Sequence, residues 1–248
     1  MRESSPSSLK VEMGDEEVNV EMRLAYINQN GVFFKGDCAK LLRGIKSESV
    51  NLCFVDPPFN LGKTYEDTDF NDLLEEEEYI RWCKDWLSES IRILIPGGAL
   101  CVYVLPKLAI TLGSLLNQRT DVTYRSLIAL KMKSGFPIKG RLHPALYTIL
   151  YYVKGGGKPT FNIVRHKTAT CRHCGKEIHS YGGYRKKYRK YEDADGIPWI
   201  QISDFWDDTR PAQHEKSREN QVNELPLHIP ERIILMASKK DDVVLDFF

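Results

Sequence analysis

An α/β fold built around a parallel sheet is the class this sequence predicts, and three observations carry that prediction. Val50 to Val55 and Ala99 to Val104 are short apolar runs of strand length, the pattern of strands covered on both faces. Between them, residues 72 to 95 set Ile80, Cys83, Leu87, Ile91 and Leu94 at helical spacing. A second helical pattern, Lys107 to Asn117, follows the second run, so the order is strand, helix, strand, helix.

Each remaining element has its own signal. Residues 1–21 mix Ser, Pro and acids without periodicity and are expected to be a disordered tail. Leu24 to Ile27 and Val32 to Phe34 are β-prone runs around an Asn-Gly pair, which supplies the positive φ of a hairpin turn. Cys38 to Ile45 reads as a short helix. The run Glu75 to Glu78 points around a helix rather than toward one point, so it predicts an acidic helix N-terminus and not a metal cluster. Pro96-Gly97-Gly98 is expected to stop that helix. Thr123 to Met132 and Ala145 to Val153 are expected to form an antiparallel hairpin at the sheet edge, and Gly155-Gly156-Gly157 a flexible hinge. Residues 161 to 204 have few aliphatics and much Lys, Arg, Tyr and Gly, which marks an insert. Pro230 to Ser238 restores a helix and Asp242 to Asp246 a buried strand. The expected organisation is therefore a tail over 1–21, the first part of the α/β domain over 22–160, the insert over 161–204, and the second part of that domain over 205–248.

Composition narrows the function. The chain is 42% hydrophobic, which excludes disorder throughout, and no apolar run reaches the roughly 18 residues that cross a bilayer, so a soluble cytoplasmic protein without a membrane partner is expected. Thirty-five basic residues against thirty-four acidic give a net charge of +1, so attraction to nucleic acid must come from local clustering. Cys38, Cys53, Cys83 and Cys101 lie in apolar or helical patterns and read as small hydrophobes, leaving Cys171 and Cys174 as the pair that resembles a site.

The strongest chemical signal is Asp56-Pro57-Pro58-Phe59. A tetrad of this type arises by chance in roughly a few per thousand chains of this length, and here it closes a strand, at the edge where open α/β sheets bind ligands. Methyl transfer to an exocyclic amine of a base needs the acceptor lone pair freed from ring conjugation and held in line with the donor. An Asp carboxylate and a proline-locked carbonyl can accept the two amine hydrogens, and Phe59 can offer a face to a base flipped from the duplex.

On these residues the sequence resembles the S-adenosylmethionine-dependent DNA amino-methyltransferases with permuted motif order, over about residues 24 to 248. The resemblance implies a Rossmann-like α/β sheet with helices on both faces and an inserted basic recognition region. It implies Asp56, Pro57, Pro58 and Phe59 as catalytic residues, and Asp in the first position is the form associated with adenine N6 rather than cytosine N4. It also implies that Asp37, after Gly36, accepts from the cofactor's adenine amine, although Asp37 also suits a turn or helix N-cap. Asn223-Glu224-Leu225-Pro226 resembles the segment seating the cofactor's methionine end. Asp246, Phe247 and Phe248 resemble the start of the main cofactor loop. That loop normally continues with a Gly-x-Gly turn, and the sequence ends before any such glycine. A fold incomplete at its C-terminus is therefore expected, with cofactor bound weakly unless another polypeptide completes the pocket.

The insert carries two further signals. His166, Cys171, Cys174 and His179 form H-x4-C-x2-C-x4-H, a candidate zinc site, with reduced surface thiols or a four-thiolate site shared by two chains as the other readings. Between 165 and 191 there are nine Lys or Arg against one acid, interleaved with tyrosines, so Arg165, Lys167, Arg185, Lys186, Lys187, Arg189 and Lys190 are candidate phosphate contacts on double-stranded DNA. The Tyr65 to Phe70 loop is expected to close over the target base. The expected activity is site-specific adenine-N6 methylation of DNA, with a cognate restriction endonuclease as a possible companion. The alternatives are an inactive or split remnant that binds DNA, and a methyltransferase acting on cytosine N4, RNA or a protein amide.

Overall fold

The computed structural model describes residues 23–28, 30–62, 73–131, 139–140, 142–168, 171, 173–176, 185–194, 196–197, 199–209 and 225–248. The expected tail and the Tyr65 to Phe70 loop lie outside these residues. In chain order the elements are β1 (Arg23–Asn28), β2 (Gly31–Lys35), α1 (Cys38–Gly44), β3 (Val50–Val55), α2 (Glu76–Ile93), β4 (Leu94–Val104), α3 (Pro106–Asn117), β5 (Val122–Lys131) and β6 (Leu146–Lys154). There follow β7 (Arg165–Lys167), α4 (Arg185–Tyr188), β8 (Trp199–Gln201), β9 (Phe205–Trp206), α5 (His228–Ala237) and β10 (Val244–Leu245).

Six strands make the central sheet in the order β10-β3-β4-β6-β5-β9. β10, β3 and β4 run parallel, β6 is antiparallel to β4 and to β5, and β9 is parallel to β5. Alternation along the strands feeds two cores. Cys53, Val55, Leu100, Val102, Leu150 and Tyr152 pack with α1, α2 and α3, whereas Leu52, Phe54, Cys101, Ile149 and Tyr151 pack with α5. Coverage on both faces explains why β3 and β4 read as continuous apolar runs. This is the expected α/β architecture with helices on both faces.

Three local expectations are corrected. Pro96-Gly97-Gly98 does not stop α2. The helix ends at Ile93, where Lys154 donates from Nζ to the carbonyls of Leu94 at 2.7 Å and Arg92 at 3.3 Å, and β4 begins at once. The Pro-Gly-Gly segment is instead an irregularity inside β4, since Val50 pairs with Leu94 while Leu52 pairs with Ala99. The second correction concerns the antiparallel hairpin, which lies inward of the expected edge: β6 sits between β4 and β5, and the two-residue β9 covers the outer side of β5. Third, the triple glycine is a packing site rather than a hinge. A Cβ on Gly157 would lie 2.2 Å from the carbonyl oxygen of Pro96, and one on Gly97 would lie 2.6 Å from that of Lys158. Only glycine permits the two backbones to meet this closely.

Gly157→Ala is therefore expected to lower unfolding free energy by about 1–3 kcal/mol, the usual cost of overpacking, measured as a shift in the urea midpoint. Gly155→Ala, whose Cβ would meet nothing closer than 3.5 Å, should stay near wild type in the same measurement.

Candidate active site

β3 ends at Val55 and delivers the tetrad to the edge of the sheet at the C-terminal ends of the parallel strands. Pro57, lacking an N–H, cannot continue the ladder, and it is buried while Asp56, Pro58 and Phe59 are half-buried. Two contacts hold the segment. The hydroxyl of Tyr79, on the first turn of α2, donates to the carbonyl of Pro58 at 2.7 Å. Asn60 takes φ +56° and clamps Leu74 twice, its Nδ2 donating to the Leu74 carbonyl at 2.8 Å and its Oδ1 accepting the Leu74 N–H at 2.7 Å. Asn is among the few residues with a side chain that tolerate such a φ. Sequence reading missed both residues. The signal available was a polar, αL-tolerant residue directly after the tetrad; Tyr79 had none, because its partner is a backbone carbonyl brought near by folding.

The Tyr79 contact sorts the two prolines. The Pro58 carbonyl is engaged by this hydroxyl, a contact that Pro57 does not share in the described hydrogen bonds. Behind the tetrad stands an aromatic wall: the Phe59 ring lies 6.2 Å from Tyr103 and 6.3 Å from Tyr147, and these two stack on each other at 5.3 Å with planes 5° apart. Burial raises the Tyr103 hydroxyl well above its ordinary pKa, and the charges of Asp56 and Tyr147 add to the shift, so Tyr103 stays neutral beside the Asp56 carboxylate.

The expected cofactor residues divide. Asp37 is the N-cap of α1, its Oδ1 accepting from the N–H groups of Ala39 at 2.9 Å and Lys40 at 3.4 Å, which is the competing reading of that residue. Asp246 follows β10, so it emerges at the same sheet edge as Asp56; desolvation by the surrounding chain raises its carboxyl from the ordinary value. Phe247 and Phe248 pack on α2, with Phe247 6.1 Å from Trp86 and Phe248 5.4 Å from Trp82. Their role in the structure is to bind the chain's last residues to the core. Asn223 lies outside the described residues.

In the insert, β7 and β8 form an antiparallel pair followed by β9. Arg165 stacks over Tyr191 at 4.0 Å, with the Lys190 ammonium 4.9 Å from the same ring, and Lys167 is paired with Asp193 at 2.7 Å. Lys186 and Lys187 are exposed on α4, beside Arg185 and Arg189 in sequence. Cys171 and Cys174 share a tight turn closed by the Gly175 N–H on the Cys171 carbonyl at 2.9 Å, with Gly175 at φ +67°. Hydrogen bonds from the backbone amides of Cys174 and His173 lower the Cys171 thiol from its ordinary pKa. His166 faces Asp208 at 3.6 Å, and His179 lies outside the described residues. Among the described residues, no three His, Cys, Asp or Glu side chains come together as a metal site would require.

Residues 50–248 match the family described as DNA methylase (N6_N4_Mtase). The chain belongs to the N6/N4 DNA methylases. It is 40% identical over 230 residues to the type II methyltransferase M.BamHI of Bacillus amyloliquefaciens, an alignment covering 92% of this chain and 52% of that protein. It is 28% identical over 236 residues to the DNA adenine methyltransferase YhdJ of Escherichia coli, covering 89% of this chain and 72% of that one. The solved PvuII DNA methyltransferase, which is cytosine-N4-specific, shares the fold with a TM-score of 0.60 at 19% identity, over 92% of this chain and 77% of its own. The chain thus spans about half the length of M.BamHI.

In this member of the family the insert is tied to α5 rather than tethered loosely. The guanidinium of Arg232 donates to both carboxylate oxygens of Asp208 and lies 5.2 Å over the Trp206 ring, while Nδ1 of His166 in β7 lies 3.6 Å from Oδ2 of the same carboxylate. Asn162 donates from Nδ2 to the carbonyls of Leu235 at 2.9 Å and Ser238 at 2.7 Å. The Arg232 hydrogen bonds hold the Asp208 carboxyl below the usual carboxylate range, against a smaller opposing effect of burial. A depressed folded pKa stabilises the native state above the unfolded value, and that stabilisation is lost as pH falls through the folded one. Arg232→Gln should therefore lower the urea midpoint at pH 7, with the gap to wild type shrinking as pH falls below the normal Asp range.

Proposed function

We propose that this chain carries the catalytic site of a DNA amino-methyltransferase that moves the methyl group of S-adenosylmethionine to an exocyclic amine of a base. The observation that carries the reading is the tetrad: a half-buried carboxylate, Asp56, next to a Pro57 carbonyl on rigid backbone, with Pro58 and Asn60 both pinned to the start of α2. Asp56 and Pro57 accept the two amine hydrogens as nitrogen turns tetrahedral, so their benefit is largest in the transition state. Phe59, backed by the Tyr103–Tyr147 stack, gives the flipped base a flat apolar face. No protein nucleophile is required, and the family's cofactor supplies an electrophilic methyl. Asp246, on the tetrad's edge, and the outer oxygen of Asp37 are the polar groups that would meet that cofactor, a role Phe247 and Phe248 support through packing.

The finer reading is adenine N6, supported by Asp at the first tetrad position and by the likeness to YhdJ. The substrate is double-stranded DNA, held at its phosphates by the basic insert, where Arg165, Lys186, Lys187 and Lys190 lie within one short stretch with Arg185 and Arg189. Zinc is proposed for the Cys171–Cys174 turn, whose amide hydrogen bonds favour thiolate, with the remaining ligands His179 or a second copy's cysteines, since His166 is turned to Asp208 instead.

Incubation of the protein with cofactor and DNA, followed by nuclease digestion and mass spectrometry, should yield N6-methyladenine. N4-methylcytosine in that digest would overturn the adenine reading and leave amine methylation standing. Asp56→Ala should abolish transfer while DNA binding persists; activity within about tenfold of wild type would sink the assignment.

Replacing Arg185, Lys186 and Lys187 with Ala should weaken binding to every DNA sequence and flatten the slope of log K against log salt. An unchanged slope would mean a solvated basic face. Elemental analysis is expected to find zinc in the protein, reduced by Cys171→Ser; less than about half an equivalent per chain would argue against the site.

A further inference from the structure

The ring of Tyr103 backs Phe59, but folding gives its hydroxyl no task. Tyr103 follows Val102 in β4, and Val102 pairs with Val55, so the register sets Tyr103 beside Asp56. Neighbouring strands lie about 4.8 Å apart across a sheet. Tyr103 belongs to the core on the α5 face and is 4% exposed, its ring held by Phe59 at 6.2 Å and Tyr147 at 5.3 Å.

Among the described residues the Tyr103 hydroxyl donates to no protein atom, the neighbouring Asp56 carboxylate included. Buried hydroxyls nearly always have a partner, so this one stands out. Other polar groups at the same edge are engaged by the protein: Tyr79 holds the Pro58 carbonyl, Asn60 holds Leu74, and Thr148 donates to the Val104 carbonyl at 2.8 Å. Nor is the Tyr103 hydroxyl sealed in the core as that of Tyr151 is, so a molecule entering the site can meet it. Burial, with the charges of Asp56 and Tyr147, keeps the phenol protonated, which makes it a donor at neutral pH.

We propose that Tyr103 is a specificity residue that reads the target base, its hydroxyl donating to the ring nitrogen beside the amine that Asp56 holds. The assignment rests on the amino-methyltransferase function proposed for the tetrad and deepens it. Adenine, with N1 beside its N6 amine, and cytosine, with N3 beside its N4 amine, present one shared pattern: an N–H donor next to a ring lone pair. A carboxylate and a hydroxyl side by side match that pattern, acceptor to donor and donor to acceptor. Guanine at C6 and thymine at C4 carry a carbonyl beside a ring N–H, so each would set its carbonyl against the Asp56 carboxylate, acceptor against acceptor. Stacking on Phe59 is open to every base, so the choice among them falls to these edge contacts.

The test first maps the base that the wild-type protein methylates in plasmid DNA. That base is then placed in a short duplex, either unchanged or with the ring nitrogen beside the amine replaced by C–H, as 1-deazaadenine for adenine or 3-deazacytosine for cytosine. On the natural duplex Tyr103→Phe is expected to lower kcat/KM about tenfold, the factor that one hydrogen bond supplies. The deaza base should cost the wild type a similar factor, and on it wild type and Tyr103→Phe should be equal, because the contact is already gone. A residue that only supported the fold would lose the same factor on both duplexes. The thermal midpoint of Tyr103→Phe should stay at or above wild type, since the hydroxyl has no protein partner to lose. Equal losses on the two duplexes, no loss on the natural one, or a midpoint several degrees lower would overturn the proposal. If the wild type methylates no base in any DNA, the amino-methyltransferase function itself is overturned, and the role of Tyr103 falls with it.

Discussion

Burial of β3, β4 and β6 on both faces is the constraint from which the rest of the structure follows. Leu52, Val55, Leu100, Val102 and Ile149 are fully excluded from solvent, and burying a side chain of this kind is worth about 1.5–3 kcal/mol. A register slip of one residue would exchange the two cores, pushing Leu52 and Phe54 toward the residues of α2 and Cys53 toward those of α5. The register is therefore strongly specified, and with it the point where β3 runs out and Asp56 begins. The chemistry inherits its position from packing that touches no substrate.

Apolar packing sets where the tetrad lies, but polar contacts set its shape. Tyr79 on the Pro58 carbonyl and Asn60 on Leu74 convert a strand end into a defined turn, each such hydrogen bond contributing about 0.5–1.5 kcal/mol. Asn51 does the same for the neighbouring strand. It is the one polar residue in the β3 run, and it exchanges side-chain bonds with Asp242 and with the Val243 N–H, both at 3.0 Å. That contact seats β10 beside β3, so Asp246 and Asp56 leave the sheet at one edge. An interruption in an apolar run here marks the place where two chain segments 191 residues apart are joined.

The insert is coupled to the core by the same means. Arg232 of α5 reaches Asp208, Asp208 reaches His166, and Asn162 holds the end of α5. Under the proposed function such a tie is needed, because a flipped base would enter the site only from a duplex held in the right place. Charged contacts of this kind resist displacement while leaving the lysines of α4 exposed.

The sequence by itself determined the fold class, the order of strands and helices from β1 to β6, and the tetrad, because each is written in local pattern: two-sided strands as apolar runs, α2 and α3 as helical spacing, the strand end as Asp-Pro-Pro-Phe. The Asn-Gly hairpin of β1 and β2 was legible for the same reason, since turn chemistry is local. Tertiary structure alone decided the rest. That Gly157 packs on Pro96 rather than flexing depends on a backbone 61 positions earlier, which no local window contains. That β6 lies inside the sheet depends on which strands β4 and β5 can reach. Phe247 and Phe248 went to Trp82 and Trp86 because exposed rings gain most by joining an existing aromatic cluster. The difference between the two prolines depends on one hydroxyl: Tyr79 occupies the Pro58 carbonyl, a contact invisible in sequence because a backbone oxygen has no letter of its own.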